Sequence, residues 1–477
     1  MTLFFRPAIS LIALVCALSA SAQTLTLTGE IDAARLNEIA SSSQEISTLD
    51  LSGAVIVAYN GPRLAANRSY HPANVLPAYV LSGLKASKVI LPQSITAIED
   101  GALMGADITE ITIPPTVTAI GQGAFAACTA LKSISIPQTV ARIGSHTFAG
   151  CTALTSATIG AKTLPASTFA DCTALSSVTL ASGLDSIGAD AFAGCTALSG
   201  ISIPATVTSI GDRAFARSGL TALSLNNLSS LRHIGTQAFA HCLKLREVIL
   251  PAQASLATGV FFDTPSLSAV ALPASLKSLP DLTFKGSKSL IDAAELLPGQ
   301  IDSIGRLALA GMLSAKHITL PKTLKYIDSE AFDNWNALQY IDATSLNAVP
   351  DLGDDVWRGI DKSKVFLDTD SEVTELFMAA PQWQEFAFDS SDITTVLSPV
   401  DDIQLNVRFE GLLLRIAATT HITAASLYDL AGRVVASYKG AGAESLTLDT
   451  AASAETFFIL TVTLDNGQSG SIKLLRQ

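Results

Sequence analysis

The sequence predicts a repeat solenoid with a parallel sheet along one face, followed by a small antiparallel β-sandwich. First, the stretch IGQGAFAACTALKSISIP, which covers Ile120–Pro137, returns several times with few changes. Second, the chain is 48% hydrophobic and only 15% charged, a bias that internal repeats produce. Third, the repeat ends before residue 400, and the remaining residues form short runs in which apolar and polar side chains alternate.

Each repeat contains a strand with one buried face. Ile134 and Ile136 alternate with Ser133 and Ser135, which is the two-residue period of such a strand. A proline then ends the strand because it has no N–H for the ladder. The half that reads Val-x-x-Ile-Gly-x-x-Ala-Phe predicts a turn and a second short strand or helical turn on the opposite side. Gly121 and its equivalents allow a backbone conformation that a side chain would disfavour.

One aromatic position marks the phase of the repeat. Nine periods separate Phe125 from Phe332 and average 23 residues, which lies within the leucine-rich repeat range. One copy cannot bury its apolar stripe alone, so the copies must stack, and their first strands are expected to form one long parallel sheet. The consensus C-x-x-L-x-x-I-x-I-P-x-x-V-x-x-I-G-x-x-A-F resembles the BspA-like leucine-rich repeat family of bacterial surface proteins, over roughly Val80 to Trp357.

The resemblance implies a leucine-rich repeat solenoid, which we expect over residues 59–388 with an acidic C-terminal cap. Residues 23–58 read as strand, helix and strand. They resemble the N-terminal cap that such a solenoid needs over its first open edge.

The first 22 residues predict export. Arg6 precedes an apolar run, and Ala20-Ser21-Ala22 supplies the small residues of a cleavage site, as in a secretory signal peptide. Cys16 raises a lipoprotein signal as an alternative, but Val15 is bulkier than the residue usual before a lipidated cysteine. No later stretch reaches the roughly 18 apolar residues of a transmembrane helix. We therefore expect an exported protein, at the outer cell surface or extracellular, with no transmembrane segment.

Residues 400–477 predict a separate β-sandwich, joined to the solenoid by a linker at 389–399. Asn466-Gly467 is a hairpin signal between alternating runs. The segment LYDLAGRVV and a final strand ending in IKLLRQ resemble the type A sorting domain of the type IX secretion system. The matching residues are Tyr428, Asp429, Gly432 and Arg433. This resemblance implies transport across the outer membrane by that machinery, removal of the domain, and attachment of the remainder to surface lipopolysaccharide. An immunoglobulin-like stalk domain is the alternative.

A cysteine occupies the same repeat position in five copies beyond the predicted signal peptide. An odd number of cysteines cannot all pair internally, and zinc needs converging ligands, commonly Cys-x-x-Cys pairs. We therefore interpret the position as a small, buried packing slot, with a disulfide or a metal as alternatives. The slot holds Cys128, Cys151, Cys172, Cys195 and Cys242, and in other copies Ser218, Thr264, Ser287 and Trp335.

Negative charge is concentrated near the end of the predicted solenoid. Fifteen acids and three basic residues lie between Asp328 and Asp392, in a chain of net charge −12. No basic stripe is apparent, which argues against a nucleic-acid partner. The run DTDSEVTE, which begins at Asp368, is interpreted as a solvated acidic cap, with calcium binding as the alternative. Trp335, Trp357 and Trp383 share this region. We expect them to seal the last open face, with contacts to a sugar or protein as the alternative.

The outward row of the long sheet is the best binding candidate, because solenoids bind partners on extended surfaces. Its N-terminal half is almost uniformly serine and threonine and indicates a solubilising ladder, whereas the half from Glu247 onward is varied enough to discriminate between partners. The candidate residues are Ser133, Ser135, Ser156, Thr158, Ser177, Thr179, Ser202, Ser224, Glu247, Asp292, His317, Thr319, Tyr340 and Asp342.

No residue group predicts catalysis, a metal site or a cofactor. The six histidines fall at unrelated repeat positions, and no nucleophile can be matched with a base. The BspA-like resemblance implies adhesion, so we expect a binding protein rather than an enzyme. Its expected partners are proteins or glycoproteins on host or bacterial surfaces, glycans as a further possibility, and the secretion machinery through the C-terminal domain. The alternatives are a carbohydrate-binding or nutrient-capture protein that uses the Trp-bearing end, and an architectural surface component.

Overall fold

A computed structural model describes residues 24–42, 46–64, 67–290, 296–388, 405–410, 413–428, 433–450, 457–465 and 469–475. The predicted signal peptide, the predicted linker and the candidate residue Asp292 lie outside these ranges, as do Asp429 and Gly432 of the sorting motif. The described residues form two compact units. The first reaches residue 361 and includes 368–384, and the second combines 362–367 with the residues from 385 onward. No helix within the described ranges is long and apolar enough to span a membrane.

The first unit is a β-solenoid of about 15 turns with repeats of about 23 residues, as the sequence predicts. The strand that follows the cysteine slot forms what we call the front face. Its parallel sheets comprise Thr24–Ile31, Thr48–Ile56, Lys88–Ile90 and Glu110–Ile111; Ser133–Ile136, Ser156–Ile159 and Ser177–Leu180; Ala222–Ser224, Glu247–Ile249 and Ala269–Ala271; and His317–Thr319, Tyr340–Ala343 and Phe366–Thr369. A helix at Thr374–Ala379 (α2) follows in the first unit, whereas a short 3₁₀ helix at Lys362–Lys364 belongs to the second unit.

The parallel front face runs along the solenoid as predicted, although its hydrogen-bonded ladder is divided into separate sheets, first between Ile111 and Ser133. One interruption falls where Gly200 to Ile203 have no strand conformation. Glycine weakens a strand because it loses more backbone entropy than other residues when it is ordered, and because it has no side chain to pack. Gly200 accounts for this break in that way. The next described interruption falls between Ala271 and His317, and residues 291–295 in that interval are outside the described ranges.

The back face, formed by the Ile-Gly half of each repeat, consists of two-residue strands. They are Val75–Leu76, Ala97–Ile98, Ala119–Ile120 and Arg142–Ile143; Thr163–Leu164, Ser186–Ile187, Ser209–Ile210, His233–Ile234 and Ser255–Leu256; and Ser278–Leu279, Ser303–Ile304, Tyr326–Ile327 and Asp351–Leu352. Gly121 follows one of them, and a Cβ there would lie 2.4 Å from the backbone nitrogen of Asp100. The glycine therefore permits close approach of successive turns. The left-handed backbone comes two residues later, at Gly123 (φ +59°).

The N-terminal residues fold as the predicted strand, helix and strand. The strands Thr24–Ile31 and Thr48–Ile56 pair in parallel, and the helix Ala33–Ser41 (α1) connects them. Asp32 caps this helix, since its side chain accepts a 3.0 Å hydrogen bond from the backbone N–H of Arg35. A small antiparallel pair, Tyr59–Asn60 with Tyr70–His71, follows.

The core of the solenoid contains a stack of phenylalanine rings at the marker position. Consecutive rings from Phe125 to Phe284 lie 5.2–5.8 Å apart with interplanar angles of 8–13°. Offset stacking at this separation is favourable beyond simple burial. The Ala-Phe segments of neighbouring turns are also joined by backbone hydrogen bonds; for example, the backbone N–H of Phe148 donates to the backbone oxygen of Thr168 at 2.9 Å. Each turn is therefore held to the next along the front strand, the back strand and this segment.

The second unit contains an antiparallel sheet, which confirms the predicted small β domain in outline. Its strands are Leu405–Glu410, Leu413–Tyr428, Val434–Asp449, Phe457–Leu464 and Ser469–Leu475, joined in a single hydrogen-bonded sheet. The pairing of the two 16-residue strands has register shifts between Ala417 and Ile422 and again before Ala424. Such irregularities bend a strand and re-aim its side chains. Ile416, Leu427 and Leu460 are among the buried residues of its core.

Candidate functional site

The N-terminal part of the front face carries two straight rows of hydroxyl groups. Ser133, Ser156 and Ser177 are direct neighbours across three strands, and so are Ser135, Thr158 and Thr179. All six alternate with buried or half-buried apolar residues; five of them are exposed, and Ser156 is half-buried. Because parallel strands lie about 4.8 Å apart, the rows present small donors and acceptors at that interval. This arrangement offers little to distinguish one partner from another.

The middle of the front face is nearly featureless apart from one charge. Ser202 is exposed but lies in the interruption without strand structure. Ser224 is exposed, and its hydroxyl donates to the side-chain oxygen of Asn226 at 2.9 Å. Glu247 is exposed between Ala222 and Ala269 on the neighbouring strands.

The C-terminal part of the front face differs in kind, because its side chains are half-buried and bonded to one another. His317 and Tyr340 are direct neighbours across two strands, and their rings meet edge to face at a centroid distance of 4.7 Å. The hydroxyl of Tyr340 donates to a carboxylate oxygen of Asp368 at 2.6 Å. We call His317, Tyr340 and Asp368 the Tyr340 cluster. On the same two strands, Thr319 is paired with Asp342.

The Tyr340 cluster is suited to hydrogen bonding rather than proton transfer. Burial and the hydrogen bond to the Asp368 carboxylate both raise the pKa of Tyr340 above its ordinary value. The phenol therefore stays protonated at neutral pH and remains a fixed donor to Asp368. Asp342 is similarly held, because its Oδ1 accepts from the backbone N–H and the hydroxyl of Thr344 at 3.0 and 2.7 Å. The result is a preorganised group of polar side chains on an otherwise plain surface.

Sequence reasoning identified His317, Tyr340 and Asp342 but assigned Asp368 only to the acidic cap. The 28 residues that separate Tyr340 from Asp368 include the irregular segment after the last clear repeat, so no spacing rule connects them. No signal in the sequence alone could have supplied this contact.

The three tryptophans are buried, so their indoles are not available to a ligand in this structure. Trp335, Trp357 and Trp383 are at most 1% exposed. Trp357 stacks on Phe332 at 4.4 Å and meets Trp383 edge to face at 5.1 Å. The alternative in which these residues contact a sugar is therefore corrected in favour of packing at the end of the solenoid.

The cysteine slot is a hydrogen-bonding position in the core. All five repeat cysteines are free and buried. Each thiol lies 3.1–3.2 Å from a backbone carbonyl oxygen in the preceding turn; Cys151, for example, donates to Phe125. Burial raises the pKa of the Cys128, Cys195 and Cys242 thiols, and that of Cys195 rises to about 12. They are therefore protonated and unreactive at neutral pH.

The other occupants of the slot explain its requirement. Thr264 and Ser287 both place their hydroxyls near the backbone oxygen of Phe261, at 2.8 and 3.3 Å. Trp335, which looked exceptional in sequence, donates its indole N–H to Ala315 at 2.6 Å. The slot thus selects a side chain that can donate a hydrogen bond to a buried carbonyl, and size is secondary.

The described residues contain no group of three His, Cys, Asp or Glu side chains placed to hold a metal ion. In the run considered for calcium, Asp370 accepts the backbone N–H of Glu372 at 2.9 Å, and Asp368 bonds to Tyr340. In the second unit, Tyr428 and Arg433 of the sorting motif lie at the end and just before the start of two paired strands.

Comparison with known proteins concerns the first unit. The model of the BspA type leucine rich repeat region matches residues 74–173, 162–291 and 294–373. A leucine-rich repeat protein from Bacteroides ovatus is 20% identical, with 69% of this chain and 91% of that chain covered, at a TM-score of 0.55. A leucine rich cell surface protein from Faecalibacterium prausnitzii is 18% identical over 79% of this chain and 96% of that one, at a TM-score of 0.34. No curated protein matches the chain.

Proposed function

Because the chain belongs to the BspA-type leucine-rich repeat family, we propose that it is a binding protein which engages other macromolecules through its front face, as an adhesin does. The observation that carries this proposal is the contrast along that face. Two rows of serine and threonine hydroxyls repeat with little variation, whereas the Tyr340 cluster and Asp342 form an ordered, irregular group. Ordered polar groups that need no rearrangement on binding give specificity at low entropic cost.

We propose proteins or glycoproteins of host or bacterial surfaces as the partners. A protein surface offers peptide and side-chain polar groups that can pair with the Tyr340 oxygen, the His317 ring and the Asp342 carboxylate. A function limited to carbohydrate binding has weaker support, because its aromatic candidates, including Trp357, are buried. Catalysis has no support from the site, since the pKa of Tyr340 is shifted away from neutrality.

The test is capture of partners by the immobilised protein from host matrix proteins and from intact neighbouring bacteria. His317→Ala and Asp342→Ala should each weaken capture at least about tenfold if these groups form part of the contact. The matched control is Ser133→Ala combined with Ser156→Ala, which changes the same face in the uniform rows and should leave capture unchanged. Equal losses from the control and the cluster variants would count against the proposal.

We also propose that the protein is exported to the cell surface and that residues 400–477 act as its sorting domain. The amino-terminal sequence pattern supports export, and the Tyr428–Arg433 motif supports sorting by the type IX system. Deletion of Val400–Gln477 should retain the protein inside the outer membrane. Surface labelling of intact cells measures this, and an undiminished surface signal from the truncated chain would refute the sorting role.

A further inference from the structure

We propose that this chain associates with a second copy of itself, head to side, through two complementary surfaces of the first unit. One is a basic edge with exposed leucines, and the other is an acidic patch with exposed apolar side chains at the C-terminal end of the solenoid. The inference does not rest on the proposed function, because neither surface includes the Tyr340 cluster.

The first surface runs along the turn that joins the cysteine slot to the front strand. Leu243 is 58% exposed and Leu313 is 49% exposed, although most apolar side chains of the solenoid are buried. Four exposed cations accompany them, and none has an ion pair among the described residues. We call this surface the basic edge; it comprises Leu243, Lys244, Arg246, Lys288, Leu313 and Lys316.

The residues of the basic edge are brought together by the stacking of four consecutive turns. The hydroxyl of Ser266 donates to the backbone oxygen of Leu243 at 2.7 Å, and that of Ser314 donates to Lys288 at 2.8 Å. Between them, Ser289 donates to Pro265 at 2.6 Å. At about 4.8 Å per turn, the two leucines are separated by roughly 14 Å, with cations beside and between them. Glu247, on the adjacent strand, is the nearest acid along the chain.

The second surface lies on helix α2 and the turn before it. Val373 and Phe377 are buried and anchor the segment, with the Phe377 ring 5.1 Å from Trp383. This anchoring leaves Leu376 and Met378 outside, 56% and 53% exposed. The acidic patch comprises these two residues with the exposed acids Asp370, Glu372 and Glu375, which have no ion pair within the described ranges.

The two surfaces match in composition, sign and size. Each combines two exposed apolar side chains with several like charges, and the charges are opposite. The six-residue helix is about 9 Å long, and with its preceding turn it approaches the length of the basic edge. Exposed apolar groups rimmed by charge mark interaction sites, and opposite potentials favour encounter. Because edge and patch are different surfaces, the contact is heterologous and can continue into a chain of molecules.

Sedimentation velocity of the purified protein tests the proposal. The sedimentation coefficient should rise with protein concentration at low salt, and the association should weaken at least about tenfold in high salt, where charge is screened. Lys244→Glu combined with Lys316→Glu should abolish the association, and so should Glu372→Lys combined with Glu375→Lys. An equimolar mixture of these two variants should associate again, because each keeps one native surface.

Two exposed positions away from these surfaces provide controls. Lys132 lies five turns from Arg246 at the same repeat position, and Asp185 lies beside the back face. Neither Lys132→Glu nor Asp185→Lys should alter the association. Circular dichroism confirms that each variant is folded. The proposal is overturned by a monomer at all concentrations, or by loss from the basic-edge variant without loss from the acidic-patch variant. It is also overturned if the protein remains monomeric and instead binds vesicles of anionic phospholipid through the basic edge.

Discussion

Replacing one ring of the phenylalanine stack should lower the free energy of unfolding through two contributions that can be measured separately: the loss of buried volume and the loss of ring stacking. Phe192 is fully buried, and its ring lies 5.7 Å from Phe169 and 5.3 Å from Phe215. Phe192→Ala removes the ring and leaves a cavity, at a cost of about 3–5 kcal/mol. Phe192→Leu keeps an apolar side chain in place but loses both ring contacts. Each contact contributes about 0.5–1.5 kcal/mol beyond burial, so the expected cost is about 1–3 kcal/mol.

Urea unfolding followed by two signals distinguishes these contributions. Far-ultraviolet circular dichroism reports on all strands, whereas tryptophan emission reports only on the C-terminal end, where all three tryptophans lie. Each turn contacts only its neighbours, so the loss at Phe192 should shift the dichroism transition more than the emission transition. The natural occupant Leu309 shows that leucine fits the position. If Phe192→Ala and Phe192→Leu lower the free energy of unfolding equally, the separate contribution of ring stacking is refuted. If the dichroism and emission transitions shift equally, the claim that each turn is coupled only to its neighbours is refuted.

Three further predictions concern single hydrogen bonds. Cys151→Ser can keep the hydrogen bond to the Phe125 carbonyl and should cost less than Cys151→Val. The valine variant loses that bond, at about 1 kcal/mol, and leaves the carbonyl with only the backbone N–H of Cys128; thermal unfolding measures both. Tyr340→Phe should cost about 1 kcal/mol by losing the bond to Asp368. Because the pKa of Tyr340 is raised in the folded protein, the difference in free energy of unfolding between the two proteins should be complete below the ordinary tyrosine pKa of about 10. It should decline as the pH rises through the pKa of Tyr340 in the folded protein, and unfolding curves at neutral and alkaline pH measure this. Asp333→Asn should cost about 1 kcal/mol at neutral pH. Hydrogen bonding to Arg358 lowers the pKa of Asp333 in the folded protein. The contribution of Asp333 to the free energy of unfolding should therefore be complete above the ordinary aspartate pKa of about 4 and vanish as the pH falls through its pKa in the folded protein. Acid unfolding curves of the wild-type protein and the Asp333→Asn variant measure this.

The regular part of the fold could be predicted from the sequence because each copy repeats the same pattern of buried apolar and exposed polar residues. The alternation at Ser133–Ile136 and the recurring phenylalanine both predict structure that is present in the fold. The packing role of the cysteine slot followed from its substitution by Ser218 and Thr264. Its need for a donor did not, because the acceptor for each cysteine is a backbone carbonyl in the preceding turn, which no residue identity reveals.

The irregular part was not accessible, since it depends on how departures from the consensus stack in space. The interruption of the front sheet near Gly200 depends on the loss of a few ladder bonds, which periodicity does not register. The contact between Tyr340 and Asp368 joins a repeat to the segment after the repeats. The basic edge was missed because its cations are spread over three copies, so that no stretch of the chain looks basic.

The positions that depart from the consensus carry the functional argument for this chain. A turn is stabilised mainly by apolar and backbone groups that stack on identical groups above and below, so the consensus is largely determined by stacking. An exposed side chain such as Leu243 adds nothing to that stack, and its exposed surface is an unfavourable contact with water. The same holds for Leu376, which is exposed on helix α2. Since the frame does not require such residues, the places where they cluster with charge or with one another are the ones to test for contacts outside the molecule, and these are the Tyr340 cluster and the two association surfaces.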